Sequence, residues 1–230
     1  MNTPLWPILA GTLPAVIDLS HNNSGFDSVE EFEALKAAGV ALVIHKASQG
    51  SSYVDPMYAK RRPLALQAGL LWEAYHFATS DPVADQLAHF LAAAEPDHAT
   101  MRLMLDAEQN RGATITPLDA AQLALDADAR LSRQVVRYGN ASVLNYKQPG
   151  WQDGPLWWAK YGPEPTVELM KYLGVNPADV VLWQETCTGR VAGSGSGNVD
   201  LSYYRYQAAG ALQLWPAIPG FDGFAEVPHK

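Results

Sequence analysis

Leu103-Met104-Leu105-Asp106-Ala107-Glu108 is an apolar run that stops at two carboxylates with one residue between them. Read as a strand, its side chains alternate between faces, so Asp106 and Glu108 project to the same side. Two acids held that close on a buried element repel, which raises one pKa and leaves the other low. Such a pair supplies what cleavage of a glycosidic bond requires: a carboxylic acid to protonate the leaving oxygen and a carboxylate to stabilise or attack the sugar. Two solvated acids entering a loop would be written with the same letters, so the pair gains meaning only from the rest of the chain.

Outward from this run, strand-like and helix-like segments alternate. Strands are expected at residues 15–19, 40–44, 70–77, 101–106, 134–138, 156–159 and 180–183, most of them apolar runs of the kind that sheets buried on both faces use. Between them, Ser28 with Glu31 forms a capping box that opens a helix through Lys36, with Gly39 placed to stop it. A helix over 56–68 contains Pro63, which predicts a break or kink. Asp81-Pro82 reads as an N-cap followed by proline at the first helical position, starting a helix to about Ala94. Thr116-Pro117 opens another to about Ser132, and shorter helical pieces are expected near Ser142 and Val167.

This alternation implies βαβ units and a mainly parallel sheet, either doubly wound or closed into a barrel. Asp18, Asp106 and Glu108 all stand at the C-terminal ends of predicted strands, where an α/β barrel carries its active site. No Gly-rich phosphate loop follows the first strand, which argues against nucleotide chemistry. The expectation is therefore a single (β/α) barrel domain over 1–230 with its core at about 15–205. The Gly/Ser-rich stretch 193–197 reads as a loop within it, and the proline-containing 215–230 as a non-helical extension packed on it.

Composition narrows the function. A 48% hydrophobic and 17% charged chain is globular, and a net charge of −8 disfavours tracking a polyanion, so no nucleic-acid partner is expected. One cysteine, Cys187, excludes an internal disulfide framework and a multi-cysteine metal site. His21 and His76 show no clustered ligand spacing and read as packed, hydrogen-bonded residues; no metal and no cofactor are expected. The start, Met1-Asn2-Thr3-Pro4-Leu5-Trp6-Pro7, has no basic region and two prolines, unlike a classical signal peptide. No stretch has the apolar length that spans a membrane, and no membrane partner is expected.

Several segments then match one pattern in order: Val16-Ile17-Asp18-Leu19-Ser20-His21, Lys46-Ala47-Ser48-Gln49-Gly50, Tyr53-Val54-Asp55-Pro56, Ala74-Tyr75-His76-Phe77, Leu105-Asp106-Ala107-Glu108, Leu156-Trp157-Trp158-Ala159-Lys160-Tyr161, Trp183-Gln184, and Gly197-Asn198-Val199-Asp200-Leu201-Ser202. Together, over roughly residues 15–205, they resemble the glycoside hydrolase family 25 lysozymes, the Chalaropsis-type muramidases. That resemblance implies a flattened, irregular α/β barrel that hydrolyses the β-1,4 bond between N-acetylmuramic acid and N-acetylglucosamine in peptidoglycan with retention. It makes Glu108 the general acid/base and gives Asp106 the task of orienting and charge-balancing the substrate acetamido group or the intermediate. Asp18 and Asp200 would flank the groove and tune those two. Tyr75, Phe77, Tyr161, Trp183 and Gln184 would line the sugar site.

Retention through two carboxylates needs groups about 5–5.5 Å apart. Alternate residues on a strand have Cα atoms roughly 6.5–7 Å apart, so rotamers serve a glycosyl-enzyme or an oxazolinium route alike. Three positions depart from the family pattern: Gln49 where glutamate is usual, Glu185 where an aromatic is usual, and Ser202 where asparagine is frequent. They bear on substrate preference and pH optimum. Two other readings remain open, a catalytically silent peptidoglycan-binding module and a barrel hydrolase of another amino-sugar polymer such as chitin. The expected form is a monomer made in the cytoplasm and acting on the wall, as a phage or prophage endolysin or a bacterial enzyme exported by a non-classical route.

Overall fold

The computed structural model describes residues 15–96, 102–191 and 197–204. Strand β1 (Ala15–Leu19) leads to α1 (Val29–Ala37), β2 (Val40–Gln49) and the two-residue β3 (Tyr53–Val54). Then follow α2 (Tyr58–Gln67), β4 (Leu71–Phe77), α3 (Val83–Ala94), β5 (Leu103–Asp106), α4 (Pro117–Leu131) and β6 (Val136–Gly139). The remainder is α5 (Ala141–Leu144), β7 (Leu156–Ala159), α6 (Val167–Tyr172), β8 (Val180–Gly189) and β9 (Val199–Tyr204). Neighbouring strands run β1-β9-β8-β7-β6-β5-β4-β2, and β1 also pairs with β2, so these eight close into a barrel with β3 added outside on β2.

The seams among β1, β2 and β4 to β8 are all parallel. The sheet is mainly parallel, as expected, with one strand that the expected elements did not include: β9 lies antiparallel to both of its neighbours and closes the barrel between them. A purely parallel closure would need a further crossover helix between β8 and the last strand.

Period-two alternation divides the core. Val16, Leu42, Ile44, Met104, Val136, Trp157 and Leu182 fill the barrel interior. Ile17, Leu19, Val43, Leu103 and Leu105 point outward and pack against Phe32, Leu35, Phe90, Leu123, Ala124 and Ala127 of the helices. Each strand is therefore buried on both faces, which is why the runs are apolar almost throughout.

The helix ends follow local chemistry in most places. Ser28 and Glu31 form the expected capping box, and Gly39 follows the helix at a φ of 98°. Thr116 caps α4 through Asp119 N–H, with Pro117 at its first turn. Two expectations are corrected. No break occurs at Pro63: α2 runs on past it, anchored through buried Tyr58, Arg61 and Ala65 on one face. Arg61 alone donates to the carbonyls of Ser20, Asn23 and Gly25. In α3 the N-cap is Pro82 and not Asp81. The Asp81 carboxylate accepts instead from the backbone and hydroxyl of Ser51, at 2.8 and 2.9 Å. The readings of the N-terminal residues, of 215–230 and of most of 193–197 lie outside the described residues. Among the described residues no helix is long and apolar enough to cross a membrane.

Candidate active site

The C-terminal ends of β1 and β5 and the N-terminal end of the antiparallel β9 gather the acids at one mouth of the barrel. On β1, Ile17 and Leu19 belong to the outer core, so Asp18 faces inward behind Val16. Asp200 of β9 stands directly opposite Asp18 in register. On β5, Leu103 and Leu105 pack outward and Met104 inward, which turns Asp106 inward. Glu108 lies two residues further, past the end of the strand, and its backbone N–H donates to Asp106 Oδ1 at 3.1 Å. The four acids thus stand within electrostatic reach of one another, with Glu108 carried by the loop and not by the strand on which alternation was expected to place it.

Their burial differs. Asp18 and Asp106 are 8% and 6% exposed, whereas Glu108 and Asp200 are half-buried. Desolvation disfavours a charged carboxylate, and neighbouring negative charge adds to the penalty. Asp106 is pushed well above the usual carboxylate range by burial and by the Glu108 charge, with the Glu108 N–H and Lys46 acting in the opposite direction. Asp18 is likewise pushed well up, by burial, by the charge and hydrogen bond of Asp200, and by Asp106. Glu108 is raised by burial and by Asp200. Asp200 is raised by burial, while a hydrogen bond from Asp18 lowers it. The expectation of one high and one low member in the 106/108 pair is therefore corrected: both are raised, because burial dominates at each.

A β-bulge shapes the cationic side of the mouth. The register of β2 against β4 shifts between Lys46 and Ser48. Ala47 packs in the outer core, and the Ser48 hydroxyl meets His76 Nδ1 at 2.9 Å. The extra residue returns Gln49 to the side of Lys46, whose ammonium donates to Gln49 Oε1 at 2.6 Å. That ammonium also lies 4.9 Å from the Phe77 ring centroid and 5.7 Å from that of Tyr53. Gln49, where the family pattern has a glutamate, thus holds the Lys46 ammonium as a neutral acceptor.

The expected sugar-lining residues separate into groups. Tyr75 packs against the interior cluster, and Phe77 pairs in register with Asp106; both are half-buried. Tyr161 is 54% exposed beyond the end of β7. Trp183 follows the outward alternation of β8: its ring meets Tyr203 and its indole N–H donates to the Lys160 carbonyl at 2.7 Å. Gln184 is buried, and both ends of its amide are bonded to protein groups, Tyr138 and Asp18. Tyr138 and Lys46 are the groups at this mouth to which sequence reasoning assigned no role. For Tyr138 the signal was present: Val136 and Tyr138 are alternate residues of one strand, and Tyr138 pairs in register with Asp106.

His21 and His76 are both held by hydrogen bonds, as expected, but only His76 is packed; His21 is exposed. His21 Nδ1 meets Asp55 Oδ2 at 2.9 Å and the Tyr53 hydroxyl at 3.0 Å. His76 is fully buried, bonded to Ser48 and Gln86 and stacked on Phe90. Burial lowers its pKa from 6.5 to about 4. Since the unfolded chain takes up this proton first, the stabilisation is complete above pH 6.5 and declines as pH falls towards 4. At about 1.36 kcal/mol per unit, the full difference is roughly 3 kcal/mol. The gap in Tm between wild type and His76→Gln should therefore be largest near neutrality and narrow on acidification, as thermal melts across this range would show; a constant gap would contradict it.

Residues 17–194 match the pattern of the glycosyl hydrolases family 25. The chain is 30% identical over 216 residues to lysozyme M1 of Streptomyces globisporus, covering 86% of this chain and 70% of that protein. It is 27% identical over 210 residues to the autolytic lysozyme of Clostridium acetobutylicum, covering 89% of this chain and 61% of that protein. The crystal structure of a bacterial lysozyme from Streptomyces coelicolor superimposes with a TM-score of 0.72 at 27% identity, covering 89% of this chain and 97% of that one. The motif order, the eight-stranded barrel closed by one antiparallel strand, and the match across most of the chain agree: it belongs to the glycosyl hydrolases family 25.

Proposed function

We propose that this chain is a muramidase whose proton donor is Glu108, cleaving peptidoglycan glycan strands at the β-1,4 bond between N-acetylmuramic acid and N-acetylglucosamine. Family membership makes it a glycoside hydrolase, and its relatives named lysozymes support peptidoglycan as the substrate. The observation that carries the assignment of the acid is the half-buried Glu108, raised by burial and by Asp200 beside a more deeply buried Asp106. A general acid must hold its proton at working pH and still reach the substrate. Glu108 meets both conditions; Asp18 and Asp106 are pushed up further by burial but are nearly closed off from a substrate.

In this reading Glu108 gives its proton to the glycosidic oxygen as the bond to the anomeric carbon breaks. The positive charge that develops on the sugar is met by the acid cluster, with Asp106 orienting the acetamido group or balancing the intermediate. Glu108, now ionised, takes a proton from the entering water. One group serving as acid and then base is the pattern of retaining enzymes. We read the described barrel as one catalytic domain acting at the cell wall, in keeping with the autolytic relative.

Digestion of purified peptidoglycan followed by mass spectrometry of the products tests the reading. New reducing N-acetylmuramic acid ends are expected. New reducing N-acetylglucosamine ends would move the cleavage to the other bond. Wall binding without any reducing ends would make the chain a binding module, and release from chitin alone would change the polymer.

A further inference from the structure

Gln184 is 1% exposed, and its two amide ends do different work. Its Oε1 accepts from the Tyr138 hydroxyl at 2.8 Å, and its Nε2 donates to Asp18 Oδ2 at 3.0 Å. Tyr138 is itself clamped: its ring lies 4.4 Å from Trp157, whose indole N–H donates to the Ser202 hydroxyl at 3.0 Å. Ser202 is two residues from Asp200 on β9, and Asp200 is the register partner of Asp18. A closed path thus runs from Asp18 through Gln184, Tyr138, Trp157 and Ser202 back to the strand of Asp200.

The polarity of this path has a consequence. An amide N–H bonded to Oδ2 makes that oxygen an acceptor, so a proton on Asp18 sits on the other oxygen. Asp18 and Asp200 are register partners, and Asp18 is the more deeply buried of the two, so a proton shared by the pair belongs on Asp18, which then donates to Asp200. If the Gln184 amide turned over, its oxygen would face Oδ2 and draw the proton there, away from Asp200. The Tyr138 hydroxyl disfavours that turn, because it could then only accept from the amide N–H and its own proton would lose the Oε1 acceptor.

We propose that Tyr138 and Gln184 are positioning residues that fix the polarity of Asp18, keeping its proton between Asp18 and Asp200 and leaving Asp200 as the charged member that faces Glu108. The proposal rests on the reading of Glu108 as the acid. The groups around Glu108 are Asp200 from β9, Asp106 from β5, Tyr138 from β6 and Tyr161 beyond β7. Asp18 is faced by Asp200, Asp106 and Tyr75, and Lys46 lies on the Asp106 side. Of these, Asp200 is the group whose charge raises Glu108, so neutralising Asp200 lets Glu108 lose its proton at lower pH.

Tyr138→Phe keeps the ring and removes the hydroxyl. The basic limb of its kcat/KM profile on peptidoglycan should move to lower pH by about 0.5–1 unit, within the range that one hydrogen bond or neighbouring charge produces. KM should stay close to wild type, while Tm should fall by a few degrees because the buried Gln184 Oε1 loses its donor. Gln184→Met, which removes both bonds, should move the limb in the same direction. Carbonyl-13C NMR titration of both variants, without substrate, should show Asp200 titrating at higher pH than in wild type. An unmoved limb, a loss uniform across pH, or an unchanged Asp200 titration would overturn the proposal. Retained lysis in Glu108→Gln would instead overturn the reading of the acid, leaving the Asp200 titration as an independent measure of the lock.

Discussion

Replacing Glu108 with glutamine is expected to lower peptidoglycan lysis by about 10²–10⁴-fold, the span that a positioned general acid contributes. Glutamine has the same shape, keeps an oxygen that accepts hydrogen bonds, and cannot supply the proton to the leaving oxygen. The fold should be retained, because the bond linking this residue to Asp106 uses the backbone N–H of Glu108 and survives the substitution. Turbidity loss on purified walls and reducing-end release measure the effect, with circular dichroism as the check on folding. A variant that still lyses walls at near wild-type rate would remove Glu108 from the mechanism.

Asp106→Asn should make the protein both inactive and more stable at neutral pH. A carboxyl whose pKa is raised in the folded state loses nothing below its unfolded value near 3.8, where both states are protonated. As pH rises through the folded value, ionisation is favoured in the unfolded chain and stability is lost. Asparagine abolishes that loss while its side-chain oxygen still accepts from Glu108 N–H. Lys46, which opposes the rise, offsets only part of the burial penalty. The Tm of the variant at pH 7 should exceed wild type by at least about 2–4 °C, the shift that about 1 kcal/mol produces in a domain of this size. At pH 3 the two should melt together. A variant less stable than wild type at pH 7, or a gap that persists at pH 3, would contradict this origin. Trading stability for a cluster of buried acids is the pattern expected where function requires strain.

Features with local causes were legible in the sequence. The capping box of Ser28 and Glu31 and the Thr116 cap were readable because both are settled within a few residues. Strand β7 occupies the expected 156–159, and β1 the expected 15–19. The expectations for Pro63 and Asp81 differed from the structure because distant partners overrode local preference. Arg61 reaches the 20–25 loop from within α2, and Ser51 draws the Asp81 carboxylate away from the helix end. The motif named Gln184 as a sugar-lining residue, whereas its amide contacts are with Asp18, 166 positions earlier, and with Tyr138, 46 positions earlier.

The sequence by itself determined the order and type of most elements and the placement of Asp18, Asp106 and Glu108 at or beside the strand ends, while Asp200 was reached only through its motif. Period-two alternation and helix caps are short-range chemistry, written residue by residue. Only the tertiary structure decided that β9 closes the barrel antiparallel, that a bulge brings Gln49 to Lys46, and that burial raises Asp106 as well as Glu108. Desolvation and hydrogen-bond polarity depend on which distant groups surround a carboxyl, and the closing of the barrel is what brings those groups around it.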